Sequence, residues 1–97
     1  MKYAIAIEPG DDTLAFGVVV PDLDGCFSAG DTSGEAIDSS REAIEAWIEA
    51  MLGDGGEVPV QRPIADLMAD PEYAGWTWAV IDVPVEHLLE RSTLSTV

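Results

Sequence analysis

The chain of 97 residues has few basic side chains, since four Lys and Arg stand against 19 Asp and Glu. The formal net charge of −15 repels phosphate backbones and anionic membrane surfaces, so direct binding of nucleic acid or lipid is disfavoured. No apolar stretch approaches the roughly 20 residues that span a bilayer, and the N-terminus lacks the apolar run of a signal peptide. These absences predict a cytoplasmic protein whose partner is basic.

Side chains that carry chemistry are also scarce. Cys26 is the single cysteine, which excludes an intramolecular disulfide, and His87 is the single histidine. Neither has a cluster of partners in the sequence, so nucleophilic and His-rich metal sites lack members. The glycines form no phosphate-binding or dinucleotide fingerprint. We therefore expect no enzymatic activity, cofactor or metal, and we expect Cys26 to be a core residue.

The first 30 residues show the alternation of β-strands. Tyr3, Ile5 and Ile7 alternate with alanines, which predicts a first strand with its large side chains on one face. Residues 14–20 alternate in the same way up to Pro21, and residues 26–29 follow a tight turn in which Gly25 can take positive φ. A meander of three strands is predicted.

A long helix follows. Thr32 and Glu35 have the spacing of a capping box, so the helix is predicted to begin near Ser33. Gly53 is expected to close it in a left-handed conformation. Spacings of three, four and seven place one apolar stripe against the sheet; its members are Ile37, Ile44, Trp47, Ile48, Met51 and Leu52.

The second half of the chain adds less structure. A Gly-rich connector over 53–63, expected to be mobile, leads to a short helix around residues 64–68 and a fourth strand over 76–83. The predicted fold is an α+β domain of order β-β-β-α-(α)-β, with one main helix on a small, mostly antiparallel sheet. Residues 1–83 form this domain, and residues 84–97, with one or two possible helical turns, form a tail or linker.

Acidic residues cluster at two places. On the long helix, four acids three and four residues apart form a ridge, with Arg41 able to pair with Glu45. The turn before the third strand adds two more. The simplest interpretation is a solvated face, but such a surface also suits the capture of a basic protein. The candidate partner-binding residues are Asp22, Asp24, Asp38, Glu42, Glu45 and Glu49.

Two alternatives stay open from the residues. Glu8, Glu35 and Asp82 lie at the ends of predicted elements and could together hold a divalent cation for hydrolysis. The second alternative is a stand-alone scaffold or ligand-binding domain. Metal-dependent cleavage would favour the first alternative, and failure to bind any basic ribonuclease would favour the second.

The segment FGVVVPDLDGCFSAGDTSGEAIDSSREAIEAWIEAML, residues 16–52, resembles the HicB-type antitoxin domain. The pattern of that family is a strand ending in Pro-Asp, a Gly-Cys strand start, then Gly-Asp-Thr leading into a helix with repeated Glu-Ala. Residues 64–83 are similar to the second half of longer members. Asp24 stands where proline is common, and a turn tolerates either residue.

The resemblance implies a partial ribonuclease-H-like fold without ribonuclease activity. It further implies an antitoxin that neutralises a small basic HicA-type mRNA ribonuclease, here by steric and electrostatic occlusion with the acidic helix and turn facing the toxin. Family members usually continue into a module that dimerises, binds operator DNA and represses the operon. We therefore expect a homo-oligomer, operator binding only through a C-terminal module absent from these residues, and a chain that is a truncated form.

Overall fold

The computed structural model describes residues 1–10 and 15–84. Four strands, one long helix and two short helical segments follow one another along the chain. In order they are β1 (Lys2–Glu8), β2 (Phe16–Val19), β3 (Phe27–Gly30), α1 (Ser33–Gly53), α2 (Ile64–Met68), a 3₁₀ turn (Pro71–Tyr73) and β4 (Thr77–Asp82). The predicted order is confirmed, and the 3₁₀ turn is an addition to it.

The four strands form one antiparallel sheet in the order β3-β2-β1-β4. The meander of the first three strands is confirmed, and β4 returns to pair with β1 from Lys2 opposite Asp82 to Ile7 opposite Thr77. The domain is therefore α+β, as predicted. Within the described residues, no helix has both the length and the apolar composition of a membrane span.

Helix α1 covers one face of the sheet, here called the inner face. Tyr3, Ile5 and Ile7 alternate onto this face and are buried with Ile44 and Ile48 of the helix. Full burial of an isoleucine side chain stabilises a protein by about 1.5–3 kcal/mol. The contact between α1 and the inner face therefore supplies much of the stability of this small core. Cys26 is buried beside it, which confirms its predicted place in the core.

The sequence analysis predicted both ends of α1, and the structure confirms the first of them. Thr32 caps the start: its hydroxyl accepts from the Glu35 backbone N–H at 3.1 Å, and the Glu35 carboxylate accepts from the Asp31 backbone N–H at 3.1 Å. At the other end, Gly53 is the last helical residue, and the positive φ of 78° belongs to Gly55. The prediction of a left-handed Gly53 is wrong, because Gly53 is itself helical, Asp54 follows as the C-cap in a right-handed conformation, and the chain adopts positive φ only at Gly55.

Strand bounds differ by a few residues from the predictions. Strand β3 begins at Phe27 because Cys26 donates its backbone N–H to Leu23 and belongs to the turn. That turn contains Gly25 at φ 76°, as predicted. Strand β2 starts at Phe16, and β4 is shorter than 76–83. Leu14, the possible helical turns after Pro84 and the predicted tail lie outside the described residues.

Candidate functional site

The acidic side chains of α1 lie on its solvent side. Asp38 and Glu42 are exposed, and Glu45 and Glu49 are partly exposed. Since a helix turns about 100° per residue, spacings of four, three and four keep these carboxylates on one side. The buried positions of the same helix are Ala36, Ser40, Ile44 and Ile48. We call Asp38, Glu42, Glu45 and Glu49 the acidic ridge.

Arg41 does not neutralise the acidic ridge in the predicted way. Its guanidinium donates to the backbone carbonyl of Asp82 at 2.8 Å, across to the end of β4. The prediction of an Arg41–Glu45 pair is therefore wrong: the arginine ties the helix to the sheet instead. Arg41 thus anchors α1 to the end of β4 through an uncharged backbone carbonyl and does not pair with the Glu45 carboxylate.

Asp22 has a different role from the one predicted for it. Its side chain is only 2% exposed, and one carboxylate oxygen lies 2.7 Å from Nε of Arg62. The other oxygen accepts from the Arg62 backbone N–H at 3.0 Å, while an Nη of Arg62 donates to the Pro21 carbonyl at 3.1 Å. The hydrogen bond to Asp22 also raises the pKa of the Arg62 guanidinium. Asp22 thus joins the connector to the turn, and its carboxylate is buried rather than presented at the surface.

The connector is held at a second point. The Tyr3 hydroxyl donates to the Pro59 carbonyl at 3.1 Å, and Val58 packs against the core. Burial, with a smaller contribution from the negative charge of Asp22, raises the pKa of the Tyr3 phenol. The segment expected to be mobile therefore has specific contacts on both sides of Val60.

Asp24 is exposed but lies away from the acidic ridge. Its backbone carbonyl accepts from the indole N–H of Trp47 at 2.9 Å, which fixes the turn beside the helix. Trp47 is five residues after Glu42, which places it about 140° further round the helix. Ala46 and Ala50, both exposed, lie between the two flanks. The acidic ridge and Asp24 were predicted to face the toxin together, and in the fold a strip of small side chains separates them.

The three carboxylates of the hydrolase alternative are not brought together. Glu8 ends β1, while Asp82 pairs with Lys2 at the opposite end of that strand. Six residues of strand separate the two positions by about 20 Å. Glu35 is used in the helix cap. Among residues 1–10 and 15–84, no group of three His, Cys, Asp or Glu is placed to hold a metal ion, so this proposed site is wrong. His87 lies outside the described residues.

Sequence reasoning missed a second exposed feature, on the sheet rather than the helix. Phe27 and Val80 are large apolar residues with 71% and 52% of their surface exposed. The signal was present in the CFSA segment, because alternation that buries Cys26 must turn Phe27 to the other side. Both side chains lie on the sheet face opposite α1.

The comparisons with known proteins agree with this architecture. Residues 3–96 match the family described as HicB-like antitoxin of bacterial toxin-antitoxin systems. The chain belongs to this family. The family match supports the expectation, drawn from the resemblance, that the chain is an antitoxin and not an enzyme.

Individual relatives extend the family match. A 14.9 kDa uncharacterized protein of Haemophilus phage HP1 is 44% identical over 92 residues, which are 95% of this chain and 68% of the phage protein. The N-terminal domain of antitoxin HicB from Burkholderia pseudomallei has a TM-score of 0.76 at 39% identity, over 86% of this chain and 98% of that one. A chain of the HicA3 and HicB3 toxin-antitoxin complex has a TM-score of 0.69 at 28% identity, over 86% and 98%.

Proposed function

We propose that this chain binds and neutralises a small basic HicA-type mRNA ribonuclease by covering the toxin's RNA-binding surface. The observation that carries the proposal is the exposed face of α1, where the acidic ridge projects carboxylates from a helix anchored on its other side by the core. The structure of a HicA3 and HicB3 complex among the relatives supports a toxin of this type as the partner. The scaffold alternative has no comparable observation in its favour.

The geometry suggests how the toxin would sit. Carboxylates of the acidic ridge line one flank of α1, and Asp24 lies on the other flank beside Trp47. Ala46 and Ala50 between them allow a partner's surface to approach the helix closely. A toxin lying across α1 would meet negative charge on both flanks, in place of the phosphates of its RNA substrate. Complementary charge of this kind speeds association and selects the partner.

The test is charge reversal on the acidic ridge. The triple variant Asp38→Lys, Glu42→Lys and Glu45→Lys keeps good helix formers at each position. We expect the Kd for the toxin to rise at least about a hundredfold, because like charges now face each other. Calorimetric titration with a small basic HicA-type ribonuclease, at low and high salt, measures the effect. The wild-type affinity should fall with salt, and that of the variant should depend on salt less.

A matched control separates local charge from net charge. Glu57, Asp66 and Glu72 are exposed acids away from α1, and replacing all three by Lys changes the net charge by the same amount. We expect this control to weaken toxin binding less than about fivefold, through long-range attraction alone. Equal losses in the two triples would show that net charge acts without a defined interface. No loss in the ridge triple would move the toxin to another face.

Two further parts of the proposal concern assembly. We infer that the chain self-associates, and that a longer form represses its own operon. The acidic surface of the described residues disfavours DNA, since it repels phosphates. Operator binding is therefore proposed only for a form that carries an additional DNA-binding module.

A further inference from the structure

Strand β3 lies at one edge of the sheet, and one side of its backbone has no partner strand. In the described part of the chain, β3 pairs only with β2. Just before the strand, the Val20 N–H donates to the Cys26 carbonyl at 3.0 Å. Along an antiparallel ladder, hydrogen-bonded pairs alternate with pairs whose backbone groups point away from the partner strand. The backbone N–H and C=O groups of Phe27 and Ala29 therefore point to the open edge.

The sequence of β3 does little to protect this edge. Proteins usually guard an edge strand with proline, lysine or another charged residue, and the segment FSAG contains none of these. Phe27 is 71% exposed, and Ala29 is exposed as well. Each of these two residues offers one main-chain donor and one acceptor to an added strand. Because β3 has only four residues, the added strand would be short.

The opposite edge of the sheet, formed by β4, is partly covered. Met1 and Val83 exchange both of their backbone hydrogen bonds, so alternation turns the backbone groups of Val80 and Asp82 outward. The Asp82 carbonyl already accepts from the guanidinium of Arg41 at 2.8 Å. By contrast, no side chain in the described residues bonds to the backbone of β3 at its open edge.

Exposed acids lie at both ends of β3. Asp24 is in the turn before the strand, and Asp31 follows the strand directly. The Glu35 carboxylate, which accepts from the Asp31 backbone N–H at 3.1 Å, adds a second negative charge at that end. A second copy that paired its own β3 here would bring these acids together, and each copy carries −15. A strand of a basic protein would instead meet opposite charge at both ends.

The open edge is continuous with the surface proposed for the toxin. The Ser28 hydroxyl of β3 donates to the Ala36 carbonyl of α1 at 3.3 Å. The Trp47 indole of the same helix donates to the Asp24 carbonyl at 2.9 Å. Helix α1 is thus joined both to β3 and to the turn that precedes it. A protein that lies across α1 and over Asp24 reaches the edge of β3.

We propose that a basic toxin adds one of its own β-strands to the open edge of β3, through main-chain hydrogen bonds to Phe27 and Ala29. The inference rests on the neutralisation proposed above and names its mode of recognition. The acids of α1 attract the toxin, and the main-chain hydrogen bonds fix its register. The exposed ring of Phe27 supplies an apolar neighbour for a side chain of the added strand.

The first test follows amide hydrogen exchange by NMR in the wild-type chain, free and saturated with a small basic HicA-type ribonuclease. In the free chain the Phe27 and Ala29 amides should exchange fast and the Ser28 amide slowly, since only Ser28 bonds to β2. Saturation with toxin should slow the Phe27 and Ala29 amides by at least about tenfold. The Val80 amide, which points outward at the other edge, should not change. An Ala29 amide that stays fast in the complex, or is already slow in the free chain, overturns the proposal.

Two proline variants give a matched second test. Ala29→Pro removes an outward N–H and places a ring at the edge, a position where strands tolerate proline. Val80→Pro makes the same change at the edge of β4, and circular dichroism establishes that each variant is folded. We expect Ala29→Pro to raise the Kd for the toxin at least about tenfold, and Val80→Pro less than about threefold. Equal losses, or none in Ala29→Pro, contradict the added strand. If a variant does not fold, hydrogen exchange in the wild type decides.

Failure of the proposed function would be recognised separately. A wild type that binds no basic ribonuclease refutes neutralisation and the added strand together. Binding that depends on the acidic ridge but leaves the Phe27 and Ala29 amides unprotected refutes only the added strand. Protection that appears in the chain alone and grows with its concentration assigns the edge to a second copy, which also overturns the proposal.

Discussion

The exposed side of α1 and the sheet face opposite this helix, here called the outer face, differ in charge and in apolar character. The first carries the acidic ridge, and the second carries Phe27 and Val80 with a nearly balanced pair of charges at one end. Between them lies a single buried layer in which Ile44 and Ile48 pack on β1 and β2. The acidic side chains of the helix therefore lie on the side of the domain opposite a sheet face whose strand positions carry few charges.

The largest expected effect comes from separating the two layers. Gly30 lies on the inner face, where an added Cβ would overlap the Ala36 backbone nitrogen and lie 2.7 Å from the Glu35 carbonyl carbon. Gly30→Ala should lower the free energy of unfolding by about 2–3 kcal/mol, because the helix must move off the sheet. Urea denaturation with an unchanged m-value measures the loss.

Gly17 is the matched control on the outer face. A Cβ there would meet the Glu8 carboxylate at 3.5 Å, an ordinary contact. Gly17→Ala should leave stability unchanged or raise it by up to about 1 kcal/mol, since glycine costs entropy in a strand. Similar losses in both variants would contradict the assignment of the two faces.

A smaller effect tests whether Asp22 stabilises the fold while Asp24 contributes to toxin binding. Asp22→Asn removes the charge that holds Arg62, so the melting temperature should fall by several degrees, and the Arg62 amide should exchange its hydrogen faster. Asp24→Asn makes the same chemical change on an exposed side chain and should do neither. In toxin titrations the order should reverse, with Asp24→Asn weakening binding and Asp22→Asn having no effect on the folded protein.

The smallest effect depends on pH. Burial raises the pKa of the Tyr3 phenol above the unfolded value of about 10, so the folded state holds the proton more tightly. The resulting stability is complete below pH 10 and is lost as pH rises through the folded pKa. Tyr3→Phe should cost about 1 kcal/mol at neutral pH, through the hydrogen bond to Pro59. It should also reduce the alkaline decline, and an unchanged decline would assign it to other groups such as Tyr73.

Local signals in the sequence were sufficient for most of the fold. The capping box at Thr32 places its two partners three residues apart, so it could be identified without tertiary information. Alternation in β1 likewise identified the inner face. The helix end was harder, because Gly53 and Gly55 are equally able to adopt positive φ and only the continuing helix decides between them.

The candidate site depended on contacts that no local pattern contains. Asp22 and Asp24 look alike in the turn, and their difference comes from Arg62, which is 40 positions from Asp22. Helical spacing predicts that Arg41 pairs with Glu45, but in the fold its guanidinium donates to the backbone carbonyl of Asp82. Trp47 was correctly placed on the apolar stripe, but its hydrogen bond to the Asp24 carbonyl, which sets the turn apart from the ridge, required the assembled structure.

The most direct test of the central claim is inhibition of RNA cleavage by a small basic HicA-type ribonuclease. Stoichiometric wild-type chain, and the control with Glu57, Asp66 and Glu72 replaced by Lys, should abolish cleavage. The ridge triple should leave cleavage largely intact at the same concentration. A wild type that does not inhibit, or a ridge triple that inhibits as well as the wild type, would contradict neutralisation through the acidic face of α1.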